Sequence, residues 1–211
     1  LAAAFEQASG HKATLAFGST GRFHAQVKNG APFQVLLAAD DETPAKLEKE
    51  GLAVAGSRFT YATGRLVLWS ASPGVVDERG EVLKKPGSEK IAIADPLLAP
   101  YGAAAVEAMK RLGVGPALQP RIVQGENISQ AYQFVLTGNA RMGFVALSQV
   151  MVDGRIEKGS AWRVPAELHA PIKQDAVVLG AGKDNPAATA LMAYLRSDAA
   201  RAIIRAHGYE L

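Results

Sequence analysis

The stretch Gly18-Ser19-Thr20-Gly21-Arg22-Phe23 decides how the rest of this chain is organised. It follows an apolar run over 13–17, which predicts a buried strand, and it precedes His24-Ala25-Gln26-Val27, which fits the first turns of a helix. A strand that passes through small hydroxyl residues into a helix leaves free backbone N–H groups, and the helix dipole adds partial positive charge there. Such a place binds anions. Ser19 and Thr20 would either cap the helix or turn their hydroxyls to a ligand, and this stretch alone leaves both open.

The same order of strand, short loop and helix recurs downstream. Buried strands are predicted at 33–39, 91–94, 121–123, 142–147 and 176–180, and one long strand broken at Gly64 is predicted over 60–70. Helices are predicted at 45–50, 103–112, 130–136, 187–196 and 198–207. This alternation indicates an α/β protein with mostly parallel sheets.

Two later loops have the same form as the one at Ser19-Thr20. They contain Tyr101-Gly102 and Asn127-Ile128, and each leads from a predicted strand into a helix. Ligands of such sheets bind beyond the carboxyl ends of the strands, at the helix starts. Three starts of this kind would meet if two lobes faced each other across a cleft.

The composition excludes several classes of function. The chain has 211 residues, of which 48% are hydrophobic, and its net charge is only +3 with the basic residues scattered, which argues against a nucleic-acid surface. No apolar run approaches the roughly 20 residues that span a bilayer. The absence of cysteine excludes disulfides and thiol chemistry.

The sequence also lacks the motifs of an enzyme. The four histidines, at positions 11, 24, 169 and 207, lack metal-ligand spacing, and the local sequence places none of them as a base for the hydroxyls of Ser19 and Thr20. Asp40-Asp41 could be paired carboxylates, but adjacent side chains point apart, so we interpret them as acids at a helix start. We therefore predict neither catalysis nor a bound metal or cofactor.

The first residues predict a helix without a preceding strand. Residues 1–8 have helical propensity and Gly10 fits a helix end, although a βαβ protein would normally open with a strand. We expect a strand and loop of about 10–15 residues upstream. That loop would carry a Ser, or a Thr-Asn pair, directed at the same anion as Thr20.

Several short motifs, in this order and spacing, resemble the periplasmic molybdate-binding proteins of bacterial ABC importers. The motifs are Phe17-Gly18-Ser19-Thr20, Asn29-Gly30-Ala31-Pro32, Ala39-Asp40, Ala94-Asp95-Pro96, Ala99-Pro100-Tyr101-Gly102, Glu126-Asn127-Ile128, Gly143-Phe144-Val145 and Gly208-Tyr209. The resemblance runs along nearly the whole chain. It implies a type II periplasmic-binding fold, in which two doubly wound α/β lobes are joined by two crossing segments and enclose a ligand cleft.

The resemblance also implies where the lobes divide. Residues 1–67 plus 177–211 would form lobe I and residues 68–176 lobe II, with crossings near 66–70 and 175–179.

Four ligand-binding positions follow from the resemblance. The hydroxyl contact of the first lobe falls on Thr20, with Ser19 beside it, the second-lobe hydroxyl falls on Tyr101, and a backbone N–H contact falls on Ile128. Ala146 stands where some members carry a tyrosine, and Tyr101 would replace that hydroxyl. Neutral hydroxyls and helix-start N–H groups can bind a tetrahedral dianion without a counter-charge.

The predicted function is capture of molybdate, and of tungstate, in the periplasm for a membrane permease and its ATPase, by a monomer that binds no nucleic acid. Sulfate or another oxyanion is the alternative ligand. The effector domain of a transcription regulator of the same fold is the alternative function.

Overall fold

The computed structural model describes residues 1–152 and 154–211. The helices are α1 (Ala2–Ser9), α2 (Thr20–Lys28), α3 (Glu42–Lys49), α4 (Pro100–Arg111), α5 (Gly115–Leu118), α6 (Ile128–Leu136), α7 (Leu147–Val150), α8 (Pro186–Leu195) and α9 (Asp198–Ala206). The strands are β1 (Val35–Leu37), β2 (Phe59–Gly64), β3 (Leu66–Ser70), β4 (Ile91–Ala94), β5 (Ile122–Gly125), β6 (Met142–Ala146), β7 (Met151–Val152), β8 (Arg155–Ile156), β9 (Ser160–Arg163) and β10 (Ile172–Val178). Most predicted helices and strands are confirmed within a few residues at each end.

Two main sheets carry eight of these strands, and β7 and β8 pair only with each other. The smaller has the order β1-β10-β2 and is antiparallel throughout. The larger has the order β5-β4-β6-β3-β9, and only β5, β4 and β6 run parallel. The expectation of mostly parallel sheets is therefore wrong. The strands β3 and β10, which follow the passages between the sheets, are antiparallel to their neighbours. The apolar runs of the sequence do not show strand direction.

The chain passes between the two sheets at two places. Arg65 separates β2 in the smaller sheet from β3 in the larger. The predicted break at Gly64 is therefore confirmed to within one residue, whereas the prediction that both halves belong to one strand is wrong. The second passage lies between β9 and β10, over 164–171. Both passages precede the predicted crossings by a few residues, so the predicted lobe limits of 67 and 177 fall inside β3 and β10. The two-lobe division itself stays a prediction.

Both faces of the larger sheet are buried. Leu66 and Leu68 pack into one apolar cluster with residues of α4, whereas Val67 and Trp69 pack into a second with residues of α6. Successive strand residues point to opposite faces, which explains why β3 is continuously apolar. Two further clusters cover the faces of the smaller sheet, where α2 and α8 pack.

Residues 13–17 do not form the predicted buried strand. They have no regular secondary structure, and the side chains of Leu15 and Phe17 are 58% and 82% exposed. A strand needs a hydrogen-bonded neighbour, and none of the described residues pairs with this segment or with the second edge of β1. An apolar groove of about 540 Å³ lies between the two. The expected upstream strand stays a prediction.

Candidate functional site

Three helix starts, those of α2, α4 and α6, form the candidate site. Helices α4 and α6 follow β4 and β5, two parallel neighbours whose carboxyl ends lie at one edge of the larger sheet. Helix α2 instead packs on the smaller sheet, where Val27 joins the cluster that contains Leu36 and Val177. The candidate residues thus come from elements of both sheets.

Two polar contacts hold α2 against the other two helix starts. The backbone N–H of Gly21 donates to the carbonyl oxygen of Leu98, just before α4, at 2.9 Å. The Arg22 guanidinium pairs with the Glu126 carboxylate, just before α6, at 2.8 Å. These contacts bring Ser19 and Thr20 to the side of the molecule where α4 and α6 begin.

Ser19 is a buried hydroxyl without a partner. Its side chain is only 4% exposed, and its Oγ has no hydrogen bond in the described structure. It precedes the first turn of α2 but makes no side-chain capping bond. Buried polar atoms are usually paired, so an unpaired one needs an explanation. Capping, one of the two interpretations of the sequence, does not supply it.

Thr20 is buried beside Ser19, and its hydroxyl has one protein partner. The backbone N–H of Ala39 donates to Thr20 Oγ1 at 3.1 Å. The hydroxyl oxygen therefore accepts from the protein, and its own hydrogen is left to donate elsewhere.

Tyr101 lies in the first turn of α4 and is 4% exposed. Its hydroxyl oxygen accepts a hydrogen bond from Gln174 Nε2 at 3.0 Å. Burial raises the pKa of Tyr101 well above its usual value, so the phenol stays protonated and can donate. The hydroxyl packs directly against Gly64, where an added Cβ would overlap it.

Ile128 is the first residue of α6, and its backbone N–H is the group of interest. Asn127 caps the helix by accepting from the N–H of Gln130, and the Gln130 side chain accepts from the N–H of Glu126. Neither bond uses the N–H of Ile128. In residues 1–152 and 154–211, the N–H groups of Thr20, Tyr101 and Ile128 have no protein acceptor. Free N–H groups at helix starts are suited to an anion.

The charged groups near the site are already paired. Asp40 accepts from the N–H and hydroxyl of Thr43, as an acid at a helix start does, and desolvation raises its pKa. The buried Asp175 carboxylate binds Arg58 Nη1 and Thr60 Oγ1, each at 2.6 Å. No cluster of three metal-ligating side chains occurs in the part of the chain that the structure describes. The site therefore offers neutral donors rather than a cation.

The sequence analysis missed a group of polar side chains behind Tyr101. They are Tyr61, Gln174, Tyr209 and Ser148. One signal in the sequence could have indicated them, because Lys173, Gln174 and Asp175 are three consecutive polar residues in a strand that is otherwise apolar, and at most alternate ones can face solvent. A bulge between Gln174 and Asp175 of β10 allows both of these side chains to be buried.

Comparisons with known proteins show the family of this chain. The family model for bacterial extracellular solute-binding proteins matches residues 1–210. The molybdate-binding protein ModA of Azotobacter vinelandii is 58% identical over all of this chain and 84% of its own length. That of Rhodobacter capsulatus is 53% identical over 99% of this chain and 81% of its own.

The solved structures include a close match to the fold. The periplasmic molybdate-binding protein of Azotobacter vinelandii superposes with a TM-score of 0.96 at 42% identity, covering 100% of this chain and 92% of that one. This match confirms the predicted periplasmic-binding fold. The matched proteins are binding proteins, which confirms that the chain is not an enzyme. The chain therefore belongs to the bacterial extracellular solute-binding proteins, in the branch that includes these molybdate-binding proteins.

Proposed function

We propose that this protein captures molybdate, and also tungstate, between α2, α4 and α6 and delivers it to an ABC importer. The observation that carries the proposal is the buried, unpartnered hydroxyl of Ser19 at the start of α2. A bound tetrahedral dianion would accept from that hydroxyl, and its charge would strengthen the bond. The molybdate-binding relatives support this choice of ligand.

The other groups of the proposed site have matching chemistry. Thr20 and Tyr101 would each donate a hydroxyl hydrogen, because their oxygens already accept from Ala39 and Gln174. Ile128 would donate through its backbone N–H. These are all donors, and many donors are what a buried dianion requires. A transcription regulator is not favoured by the relatives.

The relatives also support a proposal for where the protein acts and what it binds. We propose that it acts in the periplasm as a monomer and binds the permease of an importer driven by an ATPase. Among the described residues, no helix is both long enough and apolar enough to cross a membrane.

Calorimetric titration with molybdate, tungstate, sulfate and phosphate tests the ligand. We expect molybdate and tungstate to bind, with sulfate and phosphate much weaker. Thermal unfolding gives a second measurement, since a ligand at a hundredfold excess over Kd stabilises the fold by about 2.7 kcal/mol. Equal affinities or equal Tm shifts for molybdate and sulfate would contradict the molybdate assignment and favour a general oxyanion-binding protein.

A further inference from the structure

The segment that follows α9 contains the motif Gly208-Tyr209, which the proposed site does not explain. Gly208 has a φ of 80°, and its N–H donates to the carbonyl oxygen of Arg205. The N–H of Tyr209 donates to the carbonyl oxygen of Ile204. These two bonds form a Schellman motif, in which a left-handed glycine turns the chain away from the helix axis. Residues 208–210, which we call the α9 extension, therefore leave the helix in a defined direction.

The α9 extension adds one residue to the edge of the smaller sheet. The N–H of Thr63, on β2, donates to the carbonyl oxygen of Glu210 at 2.7 Å, and the N–H of Glu210 donates to that of Thr63 at 3.0 Å. On its other side, Thr63 pairs with Lys173 of β10. Strand β2 leads into the first passage between the sheets, and β10 follows the second. Three chain segments therefore lie side by side where the chain changes sheets.

The α9 extension also contacts elements of the larger sheet. Helix α7 follows β6, and its Leu147 packs in the apolar cluster that covers one face of that sheet. Gly208 lies so close to Leu147 and Met151 that an added Cβ would approach each to less than 3.0 Å. The Tyr209 hydroxyl accepts a hydrogen bond from Ser148 Oγ, on α7, at 2.9 Å. Since α9 itself packs on α8, which covers the smaller sheet, its extension joins the two sheets.

Arg65, the residue of the first passage, is bound from both sides. Its Nε donates to the carboxylate of Glu210 at 2.9 Å, and its carbonyl oxygen accepts from the N–H of Leu147 at 2.8 Å. A hinge between two bodies absorbs their motion in a few backbone dihedrals. Bonds on both sides of Arg65 restrict those dihedrals.

We propose that residues 208–210 form a third, non-covalent connection between the two sheets, which stabilises the arrangement in which the starts of α2, α4 and α6 meet. The covalent connections are the passages at Arg65 and 164–171. Tyr209 and Glu210 are then positioning residues, because they act through the relative position of the sheets. A protein whose helix starts meet less often binds its ligand more weakly in proportion to that fraction. The inference goes beyond the proposed function and holds for any oxyanion.

Two substitutions weaken this connection and keep its backbone pairing. Ser148→Ala removes the donor to Tyr209, and Glu210→Gln removes the charge that pairs with Arg65. Neither removes a group that the proposed anion would contact. We expect the double variant to release molybdate about tenfold faster in stopped-flow mixing, the effect of one ordinary hydrogen bond and one exposed ion pair. Its association rate should not fall.

The matched control combines Ser9→Ala with Glu81→Gln. Ser9 Oγ donates to the carbonyl oxygen of Phe5 within α1, and Glu81 pairs with Lys84 three residues along the chain. The control thus removes one hydroxyl and one charge whose bonds stay within a single element. Its release rate should equal that of the wild-type protein.

A distance measurement without anion tests the connection directly. The chain contains no cysteine, so Lys46→Cys and Lys110→Cys introduce two sites for spin labels. Both lysines are exposed, and α3 packs on the smaller sheet whereas α4 packs on the larger. We expect a narrow distance distribution in the labelled wild-type protein and a broader one, shifted to longer distances, in the double variant. Molybdate should restore the narrow distribution, and the control should keep it throughout.

The outcomes separate this inference from the proposed function. Equal distance distributions in the double variant and the wild-type protein would overturn the connection, and so would equal broadening in the control. Urea unfolding checks that the double variant folds, and the single variants provide the same measurement if it does not. A wild-type protein that binds no molybdate would contradict the proposed function, while the distances without anion would still decide whether the α9 extension connects the sheets.

Discussion

Replacing Ser19 by alanine should raise stability and lower affinity at the same time. The Ser19 hydroxyl is buried, has no protein partner and does not cap α2. A buried unsatisfied polar group costs about 1–3 kcal/mol. Without an anion, we therefore expect Ser19→Ala to be more stable than the wild-type protein by about 1 kcal/mol, which raises Tm by about 2–4 °C for a chain of this size.

Binding should change in the opposite direction. Hydrogen bonds to charged groups contribute about 1.5–3 kcal/mol, so the variant should bind molybdate about tenfold to hundredfold more weakly. Urea unfolding without anion measures the first effect, and calorimetric titration measures the second. A residue that only maintains the fold would not produce opposite signs.

Ser197→Ala is the matched control. Ser197 also precedes a helix, but its Oγ accepts from the N–H of Ala200 at 3.2 Å and therefore caps α9. Losing this cap should cost about 1 kcal/mol and leave molybdate affinity unchanged. If Ser19→Ala instead loses stability without anion, the hydroxyl is not an unsatisfied group. If its affinity for molybdate equals that of the wild-type protein, Ser19 does not bind the anion.

Three further predictions follow from other contacts. Tyr101→Phe should weaken molybdate binding about tenfold to hundredfold in a titration while the circular dichroism spectrum is retained, and unchanged affinity would remove Tyr101 from the site. Glu107→Gln should lower Tm at neutral pH. The Ala170 N–H, at 2.8 Å, and Arg111 hold the pKa of Glu107 below its usual 4.5. The stability that these contacts contribute is therefore present above pH 4.5 and is lost as the pH falls through the pKa of Glu107 in the folded protein. A Tm difference between the variant and the wild-type protein that persists at lower pH would contradict this prediction. A natural upstream segment should protect the amides of residues 13–17 from hydrogen exchange, and equal exchange with and without that segment would contradict the expected strand.

Sequence reasoning located the three helix starts of the candidate site because their determinants are local. Small hydroxyl residues before Arg22, proline before Tyr101 and Asn127 before Ile128 each mark a helix start within a few residues. The alternation of apolar runs likewise placed most strands. The assignment of Thr20, Tyr101 and Ile128 to an anion came from the resemblance to a family and stays a prediction.

Sheet membership depends on long-range pairing and was only partly predictable. Gly64 indicates an interruption, but nothing local shows that the chain changes sheets there, since the partners of β2 and β3 are distant in the sequence. The conformation of residues 13–17 was likewise not predictable from the local sequence. Their composition suits a buried strand, yet a strand forms only when a neighbour supplies hydrogen bonds.

The direction of each hydroxyl in the site is set by residues that do not touch the proposed anion. Ala39 donates to Thr20 and Gln174 donates to Tyr101, so each oxygen accepts from the protein and each hydroxyl hydrogen is directed away from that donor. The Ser19 hydroxyl has no such partner, so without an anion it is buried with no hydrogen bond at all. A site assembled in this way costs stability without its ligand and recovers it on binding. The hydrogen-bond partners behind the site therefore orient the hydroxyls that face it, and they belong to the site as much as those hydroxyls do.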